Sequence, residues 1–319
     1  MNWKNREITV VIYILILLLL IEVAFRTVKP EISGDQKHLE SLPAMAERIQ
    51  KYKGLRILFL GNSLIGEAID TEIIRRGLAN DTATPLVEKA VPDATQLPDW
   101  YFISKNTFLN REGIPDLLIV GFAWNGAFLD GGAVNDKIIE SACHLSDFPQ
   151  LCRFGIRGFE KTSEAILCRL SSVFTHRATI RNRLLDMIIP HYREGTQYIN
   201  SMHNSAAKKP RQINPQYSMF KQYMELLEKK HVKTIFLAMP VSEDYHVDDE
   251  LIRLIREKNI FIDMRYIKGL QKDMFVDPIH LGTQGRKIFS DNLVQQLVNH
   301  TVINGVLHKT ETSKNDTKK

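Results

Sequence analysis

A serine, a histidine and an aspartate are the residue types that can hand a proton along a row. In this 319-residue chain they occur in two short segments far apart. Near the start, the apolar run Arg56-Ile57-Leu58-Phe59-Leu60 leads into Gly61-Asn62-Ser63, and near the end stands Phe275-Val276-Asp277-Pro278-Ile279-His280-Leu281-Gly282. Serine is a poor nucleophile until a neighbouring base takes its proton. Histidine can be that base, with an aspartate fixing its tautomer and stabilising the imidazolium. Pro278 keeps Asp277 out of helical geometry. A turn over residues 277–280 can then bring the carboxylate to one ring nitrogen and leave the other for Ser63. Such a row performs acyl transfer through an acyl-serine, chemistry that needs no metal and no dissociable cofactor.

Each piece also has an ordinary reading. Gly-Asn-Ser is common turn and helix-capping chemistry, because Asn and Ser satisfy the free N–H groups where a helix begins. Asp-x-x-His recurs at Asp35-Gln36-Lys37-His38, in a polar stretch with no strand ahead of it. Spacing alone therefore selects nothing, and the surrounding elements must decide.

The run 56–60 reads as a strand buried on both faces of a parallel sheet. Ser63 then stands at its carboxyl end, where ligands of open α/β sheets bind and where a starting helix directs its N–H groups. Residues 67–78 follow as a helix with Glu67, Asp70 and Glu72 early and Arg75 and Arg76 late. A second strand over 86–91 leads to the loop Pro92-Asp93-Ala94-Thr95, then a helix over 97–110 and a strand over 115–122. Asn125, just beyond that strand, can donate a side-chain hydrogen bond into the crevice of Ser63; it is equally a plain loop asparagine before glycine. After residue 216 the alternation resumes, with helices over 217–230, 248–258 and 284–298 and strands over 233–239 and 260–264. Strand and helix in alternation predict an α/β fold with a central parallel sheet. There is no internal repeat.

With these residues in place the chain resembles the SGNH (GDSL-like) hydrolase superfamily over about residues 54–299. Gly61-Asn62-Ser63 is similar to its first block and Asp277-Pro278-Ile279-His280-Leu281 to its last. The resemblance implies a three-layer, flavodoxin-like fold, with Ser63 as nucleophile and Asp277 and His280 completing the triad. The family's oxyanion hole takes the nucleophile's own N–H, a glycine after the second strand and an asparagine after the third. Asn125 matches the asparagine, but no glycine stands in Val91-Pro92-Asp93-Ala94-Thr95. The expected donors there are the N–H groups of Asp93 or Ala94, hampered by a Cβ and a nearby carboxylate. Losing one such donor costs roughly 3–4 kcal/mol of transition-state stabilisation. His280-Leu281-Gly282-Thr283-Gln284-Gly285-Arg286 and an N-terminal anchor look most like proteins that assist acyl transfer to cell-surface polymers. The D-alanyl transfer proteins of teichoic acids and the O-acetylation proteins of exopolysaccharides are examples. That likeness implies an acyl (acetyl) ester of a cell-envelope polysaccharide as substrate and a multi-pass membrane acyltransferase as partner. The other readings are a simple carboxylesterase and a non-catalytic polysaccharide-binding or assembly protein.

The composition, 44% hydrophobic and 25% charged, is that of a globular chain able to bury a sizeable core. Residues 8–25 are apolar except for Thr9 and Glu22 and extend ~27 Å as a helix, near the lower limit for crossing a bilayer. A cleaved signal peptide is the competing reading, but the residues after the leucines lack a small-x-small cleavage site. The expected arrangement is a cytoplasmic segment 1–7, a single-pass signal anchor 8–25, a linker 26–53 with a short helix over 44–52, and the remaining chain on the extracytoplasmic side. Residues 127–215 form a basic, helical insert. Between Arg153 and Arg193 eight basic residues face three acidic ones, an excess equal to the net charge of +5. That surface suits anionic lipid, an anionic glycan, a partner or plain solvation. No nucleic-acid-binding module is recognisable. Cys143, Cys152 and Cys168 allow at most one internal disulfide and show no zinc spacing. The polar tail 300–319 is expected to be disordered.

Overall fold

In a computed structural model, which describes residues 3–28, 34–79, 84–110, 113–196 and 216–300, five short strands pair into one parallel sheet. They are β1 (Arg56–Leu60), β2 (Leu86–Ala90), β3 (Leu117–Phe122), β4 (Lys233–Ala238) and β5 (Ile260–Asp263). All four pairings are parallel, in the order β2-β1-β3-β4-β5. This is the flavodoxin-like doubly wound order, in which the strand sequence reverses direction between β1 and β3. A crevice opens at that switch point beyond the carboxyl ends of the strands, and β1 delivers Ser63 there.

The contacts divide the chain into two compact units, one of residues 1–37 and 135–215 and one of residues 38–134 and 216–319. The sheet belongs to the second. Strand side chains alternate between its two faces. Ile57, Phe59, Leu117, Ile119, Ile235 and Leu237 face the helices α3 (Ser63–Ala68), α4 (Thr71–Gly77) and α13 (Thr283–Asn299), which contribute Ile65, Ile74, Phe289, Leu293 and Leu297. On the other face Phe122 and Phe236 join an aromatic cluster with Phe128 and Phe220, ring centroids 4.7–5.3 Å apart. Phe220 comes from α11 (Ser218–Lys229); α5 (Leu97–Ile103) adds Trp100. Helices on both faces of a parallel sheet make the three-layer α/β fold. The remaining crossover of this unit is α12 (Asp249–Lys258).

Several elements differ from their sequence expectation. The helix expected over 67–78 starts earlier, at Ser63, and breaks at Ile69-Asp70. Asp70 caps α4 by accepting from the N–H groups of Glu72 and Ile73, and its own N–H donates to Ser290 Oγ at 2.9 Å. The helix expected over 97–110 ends at Ile103 and continues as a π-helical turn, Ser104–Phe108. The stretch expected to hold only a short helix is the 18-residue α2 (Gly34–Lys51), with Pro43 inside it and Leu39, Leu42, Met45, Ala46 and Ile49 buried.

The first unit is helical. Helix α1 (Trp3–Val28) contains a 23-residue stretch, Arg6–Val28, of mean hydropathy 3.0, none of it buried; it is long and apolar enough to cross a membrane. Between β3 and α11 lie α6 (Asp136–Ala142), α7 (Phe148–Arg153), α8 (Phe159–Leu170), α9 (Ser172–Thr175) and α10 (Arg177–Ile188). All three cysteines are free thiols, and Cys143 and Cys168 are buried. The loop 205–210 and the tail beyond His300 lie outside the described residues.

Candidate active site

Ser63 opens α3 directly after β1. Asn62 caps that helix: its Oδ1 accepts from Leu64 N at 3.1 Å and its Nδ2 donates to the Thr95 carbonyl at 3.2 Å. One side chain thus shapes the serine turn and ties it to the loop after β2. The turn sits deep because Gly61 and Gly121 are bare. A Cβ on Gly61 would lie 3.0 Å from Ile65 Cγ1 and the Gly121 carbonyl, and one on Gly121 only 2.0 Å from Ile65 Cδ1. Buried Thr95 and Trp100 complete the bracing, each donating to the Gly61 carbonyl, at 3.0 and 3.2 Å.

The second segment closes into a small loop. Phe275 and Leu281 form an antiparallel bridge, and Val276 N donates to the His280 carbonyl at 2.9 Å. Inside it, Asp277 Oδ1 accepts from the N–H groups of Ile279 and His280, both at 2.8 Å, while Oδ2 meets His280 Nδ1 at 2.7 Å. The other ring nitrogen, Nε2, lies 2.8 Å from Ser63 Oγ, across 217 residues of sequence. Desolvation would raise the pKa of Asp277, but the His280 ring and the two N–H donors outweigh it and hold the carboxyl below its usual range. Asp277 is thus a carboxylate poised to keep a proton on Nδ1 and leave Nε2 to accept one from Ser63. From outside the loop, the N–H and hydroxyl of Ser242, after β4, both donate to the Pro278 carbonyl, at 3.0 and 2.7 Å.

The structure therefore brings Ser63, Asp277 and His280 together in one hydrogen-bonded row. Asn125 is engaged elsewhere through its oxygen, which accepts from Asp248 N at 2.9 Å. A backbone N–H can only donate, so the amide nitrogen of Asn125 is the atom turned away from Asp248. Asp248 in turn caps α12 and accepts from the Tyr217 hydroxyl at 2.7 Å. Asp93 lines the same open cleft as Ser63, of about 470 Å³. Its neighbour Ala94 has φ +55°, and Trp124, just before Asn125, has φ +57°. A positive φ costs a residue with a Cβ about 1–3 kcal/mol. Two such residues thus border the switch point, Ala94 in the very loop where the resembling family carries glycine.

Three bracing residues escaped the sequence reading. The last carbonyls of α3 are all taken: Lys89 Nζ donates to Gly66 and Ile69 at 2.9 and 3.0 Å, Arg286 Nε to Glu67 at 2.6 Å, and Ser290 Oγ to Ala68 at 3.3 Å. Arg286 also pairs with the Glu67 carboxylate. Burial, followed by the charge of Arg286, lowers the pKa of Lys89 against the pull of Glu67 and Asp70. Arg286 and Ser290 lie on α13, the helix that follows His280, so the helix that continues from the histidine loop also ties down the helix that Ser63 opens. A signal was present: a cation in the first turn of a helix opposes the dipole and implies an acceptor outside it. His38 was also missed. Its Nε2 accepts from Val91 N at 2.9 Å, and its side chain lines the Ser63 cleft together with Glu67, Glu88, Lys89 and Asp93.

No protein-family model matches the chain. No curated protein matches it. Among solved structures, a crystal structure from Bacteroides fragilis NCTC 9343, described as "a putative acylhydrolase", is similar over 82% of this chain and 95% of its own, with 14% sequence identity and a TM-score of 0.36.

Proposed function

We propose that the chain is a serine esterase or O-acyltransferase of the SGNH type, held at a membrane by α1, that acts on an acyl ester of a cell-envelope polysaccharide. The observation that carries the reading is the row Asp277–His280–Ser63, with both links at hydrogen-bond distance, at the carboxyl edge of a parallel sheet. In the proposed first step His280 Nε2 takes the hydroxyl proton as Ser63 Oγ bonds to the ester carbonyl carbon. The resulting oxyanion is met by the N–H of Ser63, by an N–H of the Asp93-Ala94 turn and by the amide of Asn125. As the intermediate collapses, the ester C–O bond breaks, His280 gives its proton to the departing alkoxide, and the acyl group stays on Ser63. Water or a sugar hydroxyl, deprotonated by His280, then attacks the acyl-serine and restores the free enzyme.

The lining of the cleft supports that substrate class. Its charged and polar lining, with His38, Thr71, Glu88 and Lys89 beside Ser63, suits a hydroxyl-rich saccharide better than a long acyl chain. A multi-pass membrane acyltransferase is the proposed acyl source on the far side of the bilayer. The test is acetyl-ester hydrolysis by the detergent-solubilised full chain, with mass analysis of the Ser63 peptide for a trapped acyl group. Turnover and labelling are both expected to vanish in Ser63→Ala, and cellular glycan acetylation to change with them. A saccharide-binding protein is the second reading, favoured by the Asp93 carboxylate and the Ala94 methyl in the oxyanion loop. Full cellular function in Ser63→Ala would select it.

A further inference from the structure

We propose that helices α8 and α10 of the first unit form a collar that lies in the bilayer interface around the exit of α1, with apolar side chains among acyl chains and arginines on anionic headgroups. This rests on the reading of α1 as the anchor.

The location comes from the hydrogen bonds of Glu22 and Arg26. The Glu22 carboxylate accepts from Ser171 Oγ at 2.7 Å, Ser172 N at 2.8 Å and Val173 N at 3.2 Å, and pairs with Arg26 at 2.6 Å. Arg26 Nη2 also donates to the Leu170 carbonyl at 2.9 Å, and the His176 ring stacks 6.1 Å from Phe25. The end of α8, the start of α9 and His176, the residue that caps α10, are thus held against the last two turns of α1. A hydrocarbon core of ~30 Å takes ~20 helical residues, which from Arg6 reaches Arg26. Glu22 then lies about one turn, ~5 Å, inside that boundary. A carboxylate at such depth needs partners, and the α8–α9 junction supplies them. The junction therefore stands at the level of the lipid boundary.

The surfaces carried by the two helices match that place. On α8, Phe159 is 90% exposed and Leu170 60%; with Ile166 they share one stripe at helical spacing, opposite buried Ala165 and Cys168. Helix α10 has no buried residue along its 12 residues, although Leu184, Met187 and Ile188 are apolar, Ile188 being 73% exposed. A helix that short is marginal in water without a surface to cover it. Arg181 and Arg183 on α10, and Arg157 just before α8, are exposed as well. Large apolar residues with arginines alongside, on helices tied to a membrane exit, are the composition of interfacial helices.

The test uses the full chain in nanodiscs of phosphatidylcholine with phosphatidylglycerol, one copy per disc, in a Cys152→Ser background. Nitroxide labels are placed singly by Phe159→Cys, Leu170→Cys and Ile188→Cys, with Leu18→Cys in α1 and Glu225→Cys in the sheet unit as references. The collar labels are expected to be relaxed several-fold more by oxygen than by an aqueous nickel chelate, as at residue 18, with the reverse at residue 225. Arg181→Glu with Arg183→Glu is expected to shift the residue 188 label toward water in these discs and not in pure phosphatidylcholine. Collar labels open to the nickel chelate while residue 18 is in lipid would overturn the collar and leave the anchor standing. Collar labels reached by neither agent would overturn it in favour of a protein or glycan cover. An unchanged residue 188 label in the charge-reversed chain would overturn the headgroup contact. Residue 18 in water would instead overturn the anchor reading itself.

Discussion

Two segments of this chain read Asp-x-x-His, and they do opposite things. Asp277 and His280 sit in a loop closed by Val276 N on the His280 carbonyl, and the carboxylate takes up two N–H groups and the ring nitrogen of its own segment. Asp35 and His38 lie in the opening turns of α2, where the N–H groups point along the helix axis and the side chains point away from it. Asp35 pairs with Lys137, and His38 accepts an N–H from Val91. The pre-proline turn folds back so that local N–H groups and the ring converge on one carboxylate, whereas the helix sends both side chains outward to separate partners. Identical spacing therefore yields an imidazole held by the carboxylate of its own segment in one place and two unrelated braces in the other. His38 lines the same cleft as Ser63, but its Nε2 is taken by Val91 N, whereas His280 Nε2 lies 2.8 Å from Ser63 Oγ.

Mutation can break this contrast or sharpen it. The largest effect is expected for His280→Ala, a loss of roughly 10³-fold or more in kcat on an acetyl ester. His38→Ala is expected to stay within about a factor of three; equal losses would erase the distinction between the histidines. Next comes Asp277→Asn, with a fall of roughly 10²–10⁴-fold, because an amide can leave the ring in the wrong tautomer. Asp35→Asn should leave kcat unchanged, and a matching fall would show that the helical pair also serves the site. Arg286→Ala loosens α13 from the helix of Ser63 and is expected to cost about tenfold in kcat at constant KM, partly rescued in Arg286→Lys. A rise in KM alone would make Arg286 a substrate contact.

The smallest effect concerns acid stability. The pKa of Asp277 is lower folded than unfolded, so its contribution is complete above the unfolded value of ~3.9 and fades as pH falls through the folded one. Melting temperatures across that window should fall less steeply in Asp277→Asn than in the parent, and parallel curves would deny the carboxylate its partners.

What the sequence made legible is local. Each of the five strands is a short segment ending at a turn signal, apolar in all but the edge strand β2, and each was found within two residues of its observed ends. Gly61-Asn62-Ser63 and Asp277-Pro278-Ile279-His280 were readable because turn and pre-proline geometry are properties of adjacent residues. The bracing was not readable, because it depends on partners that only folding brings near. Lys89, Arg286 and Ser290 converge on α3 from a strand and a helix some twenty and some two hundred residues away. Asn125 illustrates the same limit: its position after β3 was plain, but its oxygen is held by Asp248, 123 residues later. The break between α3 and α4 was obscured because Asp70 fits both an acidic helix start and a cap, and only its bonds to Glu72 and Ile73 decide between them.

The 217 residues that separate Ser63 from His280 have a consequence for timing. A ribosome finishes the serine turn long before it reaches the imidazole, and nearly the whole parallel sheet must assemble before the two can meet. Sheets closed by such distant pairings form slowly. Under the proposed mechanism the growing polypeptide carries an inert hydroxyl through most of its synthesis, and Ser63 gains its base only when α13 seats.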